Sequence, residues 1–115
     1  MATLNLRVEF GERGALGPGK ARLLELIAEH GSIAAAGRAM GMSYRRAWDL
    51  IDELNQCFGK PVVTTQMGGH HGGGAALTPL GQAVIEHFRA IEGDASKAAA
   101  SHLKALQAAL KRSVG

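Results

Sequence analysis

The chain has 115 residues, a formal net charge of +3 and a single cysteine. This length suits one domain whose core needs neither a disulfide nor a metal, and a lone cysteine excludes an internal disulfide. No secretory signal is recognisable, and no apolar run approaches the roughly 18 residues needed to cross a bilayer. We therefore expect one cytoplasmic domain, and its positive charge is compatible with a polyanionic partner.

The N-terminal third predicts a strand followed by a helix. Residues 4–10 alternate apolar and polar side chains, which is typical of a strand with one buried face. Pro18 suits the first turn of a helix that runs to about His30, where Gly31 provides a left-handed terminator. The helix is predicted to bury Leu23, Leu24, Ile27 and Ala28 and to turn Glu25 and Glu29 toward solvent.

Residues 32–58 predict two helices joined by a glycine turn. Ser32 caps a short helix of small residues, Gly41 forms the turn, and Ser43 caps a longer helix. Gly37 stands where the helices would cross. The packing positions of a general helix-turn-helix carry small or apolar residues, namely Ala36, Met40, Met42, Ala47 and Leu50. The pattern therefore predicts a helix-turn-helix.

The longer helix has an apolar inner face and a polar outer face. Ala47, Leu50, Ile51, Leu54 and Phe58 form the inner face. Adjacent arginines are often only a solvated surface, but a recognition helix presents its N-terminal residues to base edges and phosphates. We expect the segment from Ser43 to Trp48 to enter the major groove of double-stranded DNA. The expected contact residues are Ser43, Tyr44, Arg45, Arg46 and Asp49, with Ser32 on the preceding helix, and Asp49 is expected to hold Arg45 across one turn.

A glycine-rich hairpin is predicted next. Lys60 and Pro61 interrupt the helix, and residues 62–67 and 75–78 read as two strands. The tip is expected to touch the sugar-phosphate backbone through Gly68, Gly69, His70, His71, Gly72 and Gly73. Two adjacent histidines without a nearby cysteine or carboxylate are a weak ligand set. We therefore expect no metal site and no cofactor.

The C-terminal part predicts further helix. Thr78 and Pro79 mark a helix start, and its apolar stripe is Leu80, Val84, Ile85, Phe88 and Ile91. We divide the chain into a DNA-binding domain, residues 1–92, and a separate amphipathic helix, residues 93–115. Ala99, Leu103, Leu106 and Leu110 form a narrow seam on that helix. The seam either folds back onto its own domain or makes a homodimer interface through Leu103, Leu106 and Leu110.

Two long runs also resemble a known family. GSIAAAGRAMGMSYRRAWDLIDELNQ and GGGAALTPLGQ are similar to the N-terminal DNA-binding domain of the ModE-type molybdate-responsive regulators, winged-helix proteins related to the LysR regulators. The resemblance covers roughly Leu16 to Ile91. It implies a mainly α winged helix-turn-helix with a small β-hairpin wing and C-terminal helices. It also implies a recognition helix at Ser43–Arg46, a wing at Gly68–Gly74 and a homodimer formed by the flanking helices.

The chain departs from that family at the wing. Members usually carry a basic residue before the wing and a lysine at its tip, whereas Thr64, Thr65, His70 and His71 stand here. We expect wing contacts to strengthen as the histidines protonate below about pH 6.5. The full-length regulators bind molybdate through C-terminal domains, to which nothing here corresponds. We therefore do not expect these residues to bind molybdate, and a sensing role rests on the resemblance alone.

Two other classes of function compete with a DNA-binding regulator of molybdenum uptake or metabolism. An enzyme would have to use Cys57 and the histidines, but Cys57 lies beside Leu54 and Phe58, which indicates a packed thiol. We therefore expect no enzymatic activity. A protein-interaction module that recruits a separate regulator or sensor subunit remains open, because the alanine-rich tail offers a helix seam.

Overall fold

The computed structural model describes residues 2–66 and 74–111. Its elements are strands β1 (Val8–Glu9) and β2 (Ala15–Leu16), helices α1 (Pro18–His30), α2 (Ile33–Ala39) and α3 (Tyr44–Phe58), strands β3 (Val63–Gln66) and β4 (Gly74–Leu77), and helix α4 (Pro79–Ala109). β1 pairs with β2, and β3 pairs with β4, both antiparallel. This order confirms the predicted mainly helical class with a small hairpin wing.

The N-terminal strand is much shorter than predicted. Only Val8 and Glu9 pair with β2, across a 3₁₀ turn at Gly11–Arg13. The ladder cannot extend further because Pro18 begins α1 two residues after β2 ends. Leu4 is consequently 36% exposed, so the predicted buried face is wrong at its first residue.

Local signals place the helix ends as predicted. The Ser32 hydroxyl accepts a hydrogen bond from the backbone N–H of Ala35 at 3.1 Å, which caps α2. The Thr78 hydroxyl caps α4 in the same way, by accepting from the N–H of Gly81 at 3.0 Å. Gly31 ends α1 in the left-handed conformation, with φ of 65°. These contacts confirm the predicted boundaries of α1 and the starts of α2 and α4.

One core joins α1, α2, α3 and the first half of α4. Its largest fully buried side chains are Phe88, Leu23, Leu24, Ile27, Ile51, Leu54 and Val62. The prediction that α1 buries Ala28 is wrong. Ala28 is exposed and Leu26 is buried instead, because the buried face of α1 is centred on Leu23 and Ile27. Cys57 is buried, as expected for a packed thiol.

An ion-pair cluster joins α1 to α4. The guanidinium of Arg89 donates to Glu25 from Nε at 3.2 Å and from Nη2 at 2.8 Å, and Nη1 donates to Glu92 at 2.7 Å. The hydrogen bonds from Arg89 lower the pKa of Glu25 because they favour its charged form. Glu25 therefore does not simply face solvent, as predicted, but holds two helices together.

Helix α4 is continuous through the predicted division at Gly93. It has 31 residues, which corresponds to a length of about 46 Å. The prediction of two helices separated near Gly93 is wrong, because one interior glycine costs only about 1 kcal/mol and the flanking alanine-rich sequence favours helix. Within the described residues, α4 and the other helices lack an apolar stretch long enough to span a membrane.

Candidate nucleic-acid interface

Gly37 lies at the crossing of α2 and α3, where an added Cβ would make ordinary van der Waals contacts. A Cβ placed on Gly37 would lie 3.4 Å from the Cβ of Ala47 and 3.5 Å from the carbonyl oxygen of Met42. Gly41 then turns the chain with φ of 68°, which favours glycine. The close approach of α2 to α3 and the turn at Gly41 confirm the predicted helix-turn-helix.

Ser43 caps α3 at its predicted position. Its hydroxyl accepts from the backbone N–H of Arg46 at 3.0 Å, and the side chain remains exposed. The three residues after Ser43 are also exposed, and this end of a helix favours negatively charged groups. The N-terminus of α3 is thus an exposed end that suits a phosphate or a base edge.

The residues of α3 separate into the predicted faces. The buried side chains are Ala47, Leu50, Ile51, Leu54 and Cys57, with Phe58 half-buried. Tyr44, Arg45, Arg46 and Asp49 are all exposed. The described part of the chain buries no charged side chain, so both arginines are free to meet a ligand. Whether these residues touch DNA stays a prediction.

Neighbouring arginines on α3 point in different directions. Successive helical residues are rotated by about 100°, so Arg45 lies opposite the buried face while Arg46 lies on its flank toward α1. No ion pair joins Arg45 to Asp49 among the described residues. The predicted bridge is therefore wrong, because both side chains extend into solvent, where such a pair gains little.

An aromatic pair, exposed Tyr44 and half-buried Trp48, flanks the other side of Arg45. The rings of Tyr44 and Trp48 meet edge-to-face, with centroids 6.3 Å apart, and Tyr44 is 57% exposed. Trp48 is absent from the predicted contact residues. Its four-residue spacing from Tyr44 is the sequence signal for this pair. The pair gives the first two turns of α3 a rigid apolar edge beside the arginine.

The base of the wing is attached to the end of α1. Val63 pairs with Leu77 and Gln66 with Gly74 in the hairpin. The backbone N–H of Ala75 donates to the carbonyl oxygen of Gly31 at 2.9 Å, so β4 is fixed to the helix core. The predicted tip residues Gly68, Gly69, His70, His71, Gly72 and Gly73 lie outside the described residues.

Metal ligands do not converge in the described ranges. Residues 2–66 and 74–111 contain no group of three or more histidine, cysteine or acidic side chains positioned to hold an ion. The acidic residues near the interface, including Asp49 and Asp52, lie on the exposed side of α3. The arrangement therefore offers hydrogen-bond donors, cations and an aromatic edge to a ligand.

A helix-turn-helix with an attached hairpin is the architecture of winged DNA-binding domains, and the family is shown by sequence. The profile of bacterial regulatory helix-turn-helix proteins of the lysR family matches residues 19–82. The chain belongs to this family. The match contains α2, α3, the hairpin and the first turn of α4.

Relatives connect the chain to molybdenum-related proteins. It is 47% identical over 83 residues to the molybdenum-pterin-binding protein MopA of Rhodobacter capsulatus, covering 72% of this chain and 31% of MopA. It is 37% identical over 87 residues to the DNA-binding transcriptional dual regulator ModE of Escherichia coli K12, covering 76% of this chain and 33% of ModE. The chain spans about a third of these relatives. It is a helix-turn-helix protein of the lysR family and is related to the ModE and Mop proteins, as the sequence resemblance predicts.

A solved structure supports the same fold. The crystal structure of CbnR_DBD in complex with DNA has a TM-score of 0.52 and 27% sequence identity. The match covers 71% of this chain and 95% of that domain. The winged helix-turn-helix fold is thus shared with a domain that binds DNA.

Proposed function

We propose that the chain is a sequence-specific transcriptional regulator that reads duplex DNA with the first two turns of α3. The observation that carries this proposal is the exposed, capped N-terminus of α3 with Arg45 opposite the buried face. Arginine forms two hydrogen bonds to guanine in the major groove, and Ser43 and Tyr44 lie at the same end of the helix. Ser32 and Asp49 complete the proposed contact surface.

The test uses a duplex selected from a random library by the wild-type protein. Replacing both Arg45 and Arg46 with alanine should weaken binding to this duplex by about 100-fold or more, since one bidentate base contact contributes about 1–3 kcal/mol and the loss of a second positive charge adds to it. Fluorescence anisotropy measures the affinity, and circular dichroism checks that the melting curve is unchanged.

The matched control removes two positive charges elsewhere. Arg22 and Lys97 are both exposed and lie outside α3. Their double alanine variant should retain specific binding and lose only the small contribution of net charge. Equal affinity of the α3 double variant and this control would refute α3 as the reading element.

We further propose that the chain works as a homodimer through the C-terminal half of α4. The buried residues Val84, Ile85 and Phe88 lie on one helix face, and their spacing continues into Ala99, Leu103, Leu106 and Leu110. Leu106 is 66% and Leu110 64% exposed. Residues 93–115 would then serve as the dimerisation element of a DNA-binding domain at residues 1–92. A symmetric dimer favours a palindromic site.

Charged substitutions on two faces of α4 test the dimer. Replacing Leu106 and Leu110 with glutamate should convert a dimer to a monomer in sedimentation velocity, because charges would enter the apolar seam. The control replaces Ser101 and Ala108, on the opposite helix face, with glutamate and should leave the mass unchanged. A wild-type protein that sediments as a monomer at all concentrations would refute the dimer.

We also propose molybdenum uptake or metabolism as the controlled process. The names of the relatives MopA and ModE support this target. Genome-wide mapping of bound sites tests it, since the sites should lie beside genes for molybdenum transport or use. We expect these 115 residues alone to give no saturable heat of molybdate binding in calorimetry. Sites spread evenly over unrelated genes would contradict the molybdenum assignment.

The uncovered face of α4 also favours a second candidate, a protein-interaction module that recruits another regulator or sensor subunit. Salt dependence separates the two functions. A DNA reader that neutralises several phosphates loses affinity steeply as salt rises, whereas a module bound through apolar contacts responds weakly. A flat salt response of duplex binding would favour the interaction module.

A further inference from the structure

A second cationic surface lies beside α3, and of its positively charged residues only Arg46 is among those predicted to bind DNA. It is an open cavity of about 510 Å³ between the start of α1 and the first half of α3. Arg7, Lys20 and Arg46 line it, together with Glu53. Three positive side chains from three parts of the chain therefore share a space with one carboxylate.

The two arginines in this cavity are available for a ligand. Arg46 forms no ion pair within the described part of the chain. Arg7 has only a long contact to Glu9, with Nε and Oε1 3.8 Å apart and both side chains more than two-thirds exposed. Such a contact contributes little in water. Each guanidinium keeps most of its five N–H donors free.

Lys20 differs from the arginines because its ammonium is already held. It donates to the carbonyl oxygen of Ala15 at 2.9 Å and lies 3.3 Å from a carboxylate oxygen of Glu53. These contacts fix the lysine in the cavity wall and offset the charge of Glu53. The unbalanced charge of the cavity then comes from Arg7 and Arg46, whose planar forks match the oxygens of a phosphate group.

We propose that this cavity binds a backbone phosphate of the DNA whose major groove receives α3. The inference rests on the proposed function. Arg46 lies in the first turn of α3, so the cavity opens beside the helix end that would enter the groove. The major groove is about 12 Å wide and is edged by phosphates, which places a phosphate next to that turn. In this arrangement Arg45 reads bases, while Arg46 and Arg7 position the DNA backbone. Arg7 lies outside the region that matches the family, residues 19–82.

Arg7→Ala tests the proposed phosphate site in the cavity, because this exposed side chain can be removed without disturbing the core. Duplex affinity is measured across a range of potassium chloride concentrations, with the library-selected duplex and a scrambled one. The variant should bind both duplexes about tenfold more weakly, and the slope of log K against log salt should be shallower by about 1. Arg45→Ala should instead reduce discrimination between the two duplexes.

Lys97→Ala is the matched control, since it removes one exposed positive charge on α4 that does not line the cavity. If Arg7→Ala matches this control in affinity and salt slope while Arg45→Ala still loses discrimination, the proposed phosphate site is wrong but the proposed function stands. Absence of salt-dependent duplex binding by the wild-type protein would overturn both the proposed function and the proposed phosphate site. Saturable binding of inorganic phosphate or molybdate to the DNA-free protein at constant ionic strength, lost in Arg7→Ala, would identify a free oxyanion as the ligand and overturn the assignment to DNA.

Discussion

The two halves of α4 carry the same apolar pattern but meet different surroundings. In the first half, Val84, Ile85 and Phe88 are buried in the core, where α4 packs against α1 and β4. In the second half, Leu106 lies on the continuation of this face and is 66% exposed, and Leu110, the C-cap residue just after α4, is 64% exposed. The sequence pattern therefore defines which face of a helix is apolar, while the extent of the rest of the domain along α4 determines how much of that face is buried.

The N-terminal segment covers only a part of the second half. Ala2 lies across a groove of about 500 Å³ from Leu103, which is half-buried as a result. Leu106 lies almost a turn further along and has no such cover. The alternative that the seam folds back onto its own domain thus holds for Ala99 and Leu103 at most. The exposed end of α4 is where we propose that a second copy packs.

The largest effect should separate equivalent positions in the two halves. Phe88 and Leu106 are 18 residues apart, which is five helical turns, so they lie on the same face. Phe88→Ala should lower the free energy of unfolding by about 4 kcal/mol because it empties a fully buried site. Leu106→Ala should change it by about 0.5 kcal/mol or less in the monomer. Urea unfolding of dilute protein measures both.

Concentration sharpens this comparison. If α4 pairs with a second copy, the cost of Leu106→Ala should grow as protein concentration rises, because the dimer buries that side chain. The cost of Phe88→Ala should not follow concentration in the same way, since its site lies within one chain. A Leu106→Ala variant as unstable as Phe88→Ala in dilute protein would show that the seam is covered within its own domain.

An intermediate effect should distinguish two glycines of α4. A Cβ on Gly81 would collide with the backbone carbonyl oxygen of Val62, which already accepts from the N–H of Thr78 at 3.0 Å. Gly81→Ala should therefore destabilise the fold by about 2–3 kcal/mol. Gly93, in the exposed half, has open space around the same position.

Gly93→Ala is the control for helix propensity. It should stabilise the protein by about 0.5–1 kcal/mol, because alanine favours the helix more than glycine does. Thermal unfolding followed by circular dichroism should shift in opposite directions for the two variants. A shift of the same sign and size for both would contradict the close approach of α4 to Val62.

Short-range signals explain most of what the sequence predicts correctly. The Ser43 hydroxyl accepts a hydrogen bond from a backbone N–H three residues away, and Gly41 adopts the positive φ that the turn requires. These contacts depend on neighbours in sequence, so residue types and spacing are sufficient to find them. Helix α3 and its exposed residues follow from the same short-range signals, together with the 3.6-residue period.

Long-range packing explains what the sequence leaves out. Glu25 and Arg89 are 64 residues apart, and no periodicity links a glutamate on α1 to an arginine on α4. Arg7 reaches the flank of α3 only because the short β1–β2 hairpin turns back on the domain. Neither contact has a sequence spacing that signals it. The ion-pair cluster and the cationic cavity therefore emerge only from the tertiary arrangement.

The smallest effect concerns the ion pair that fixes the covered half of α4. Hydrogen bonds from Arg89 place the pKa of Glu25 below its ordinary value of 4.5. The carboxylate therefore stabilises the folded state at pH values above the pKa of the unfolded chain. This contribution is lost as the pH falls through the pKa of the folded state. Glu25→Gln should therefore cost about 1 kcal/mol or less at pH 7, since both partners are partly exposed, and the difference from wild type should vanish near pH 2. Urea unfolding at both pH values measures this change, with Glu29→Gln, an exposed residue of α1 outside the cluster, as the control. A difference between Glu25→Gln and wild type that stays constant from pH 7 to pH 2 would show that shape rather than charge joins α1 to α4.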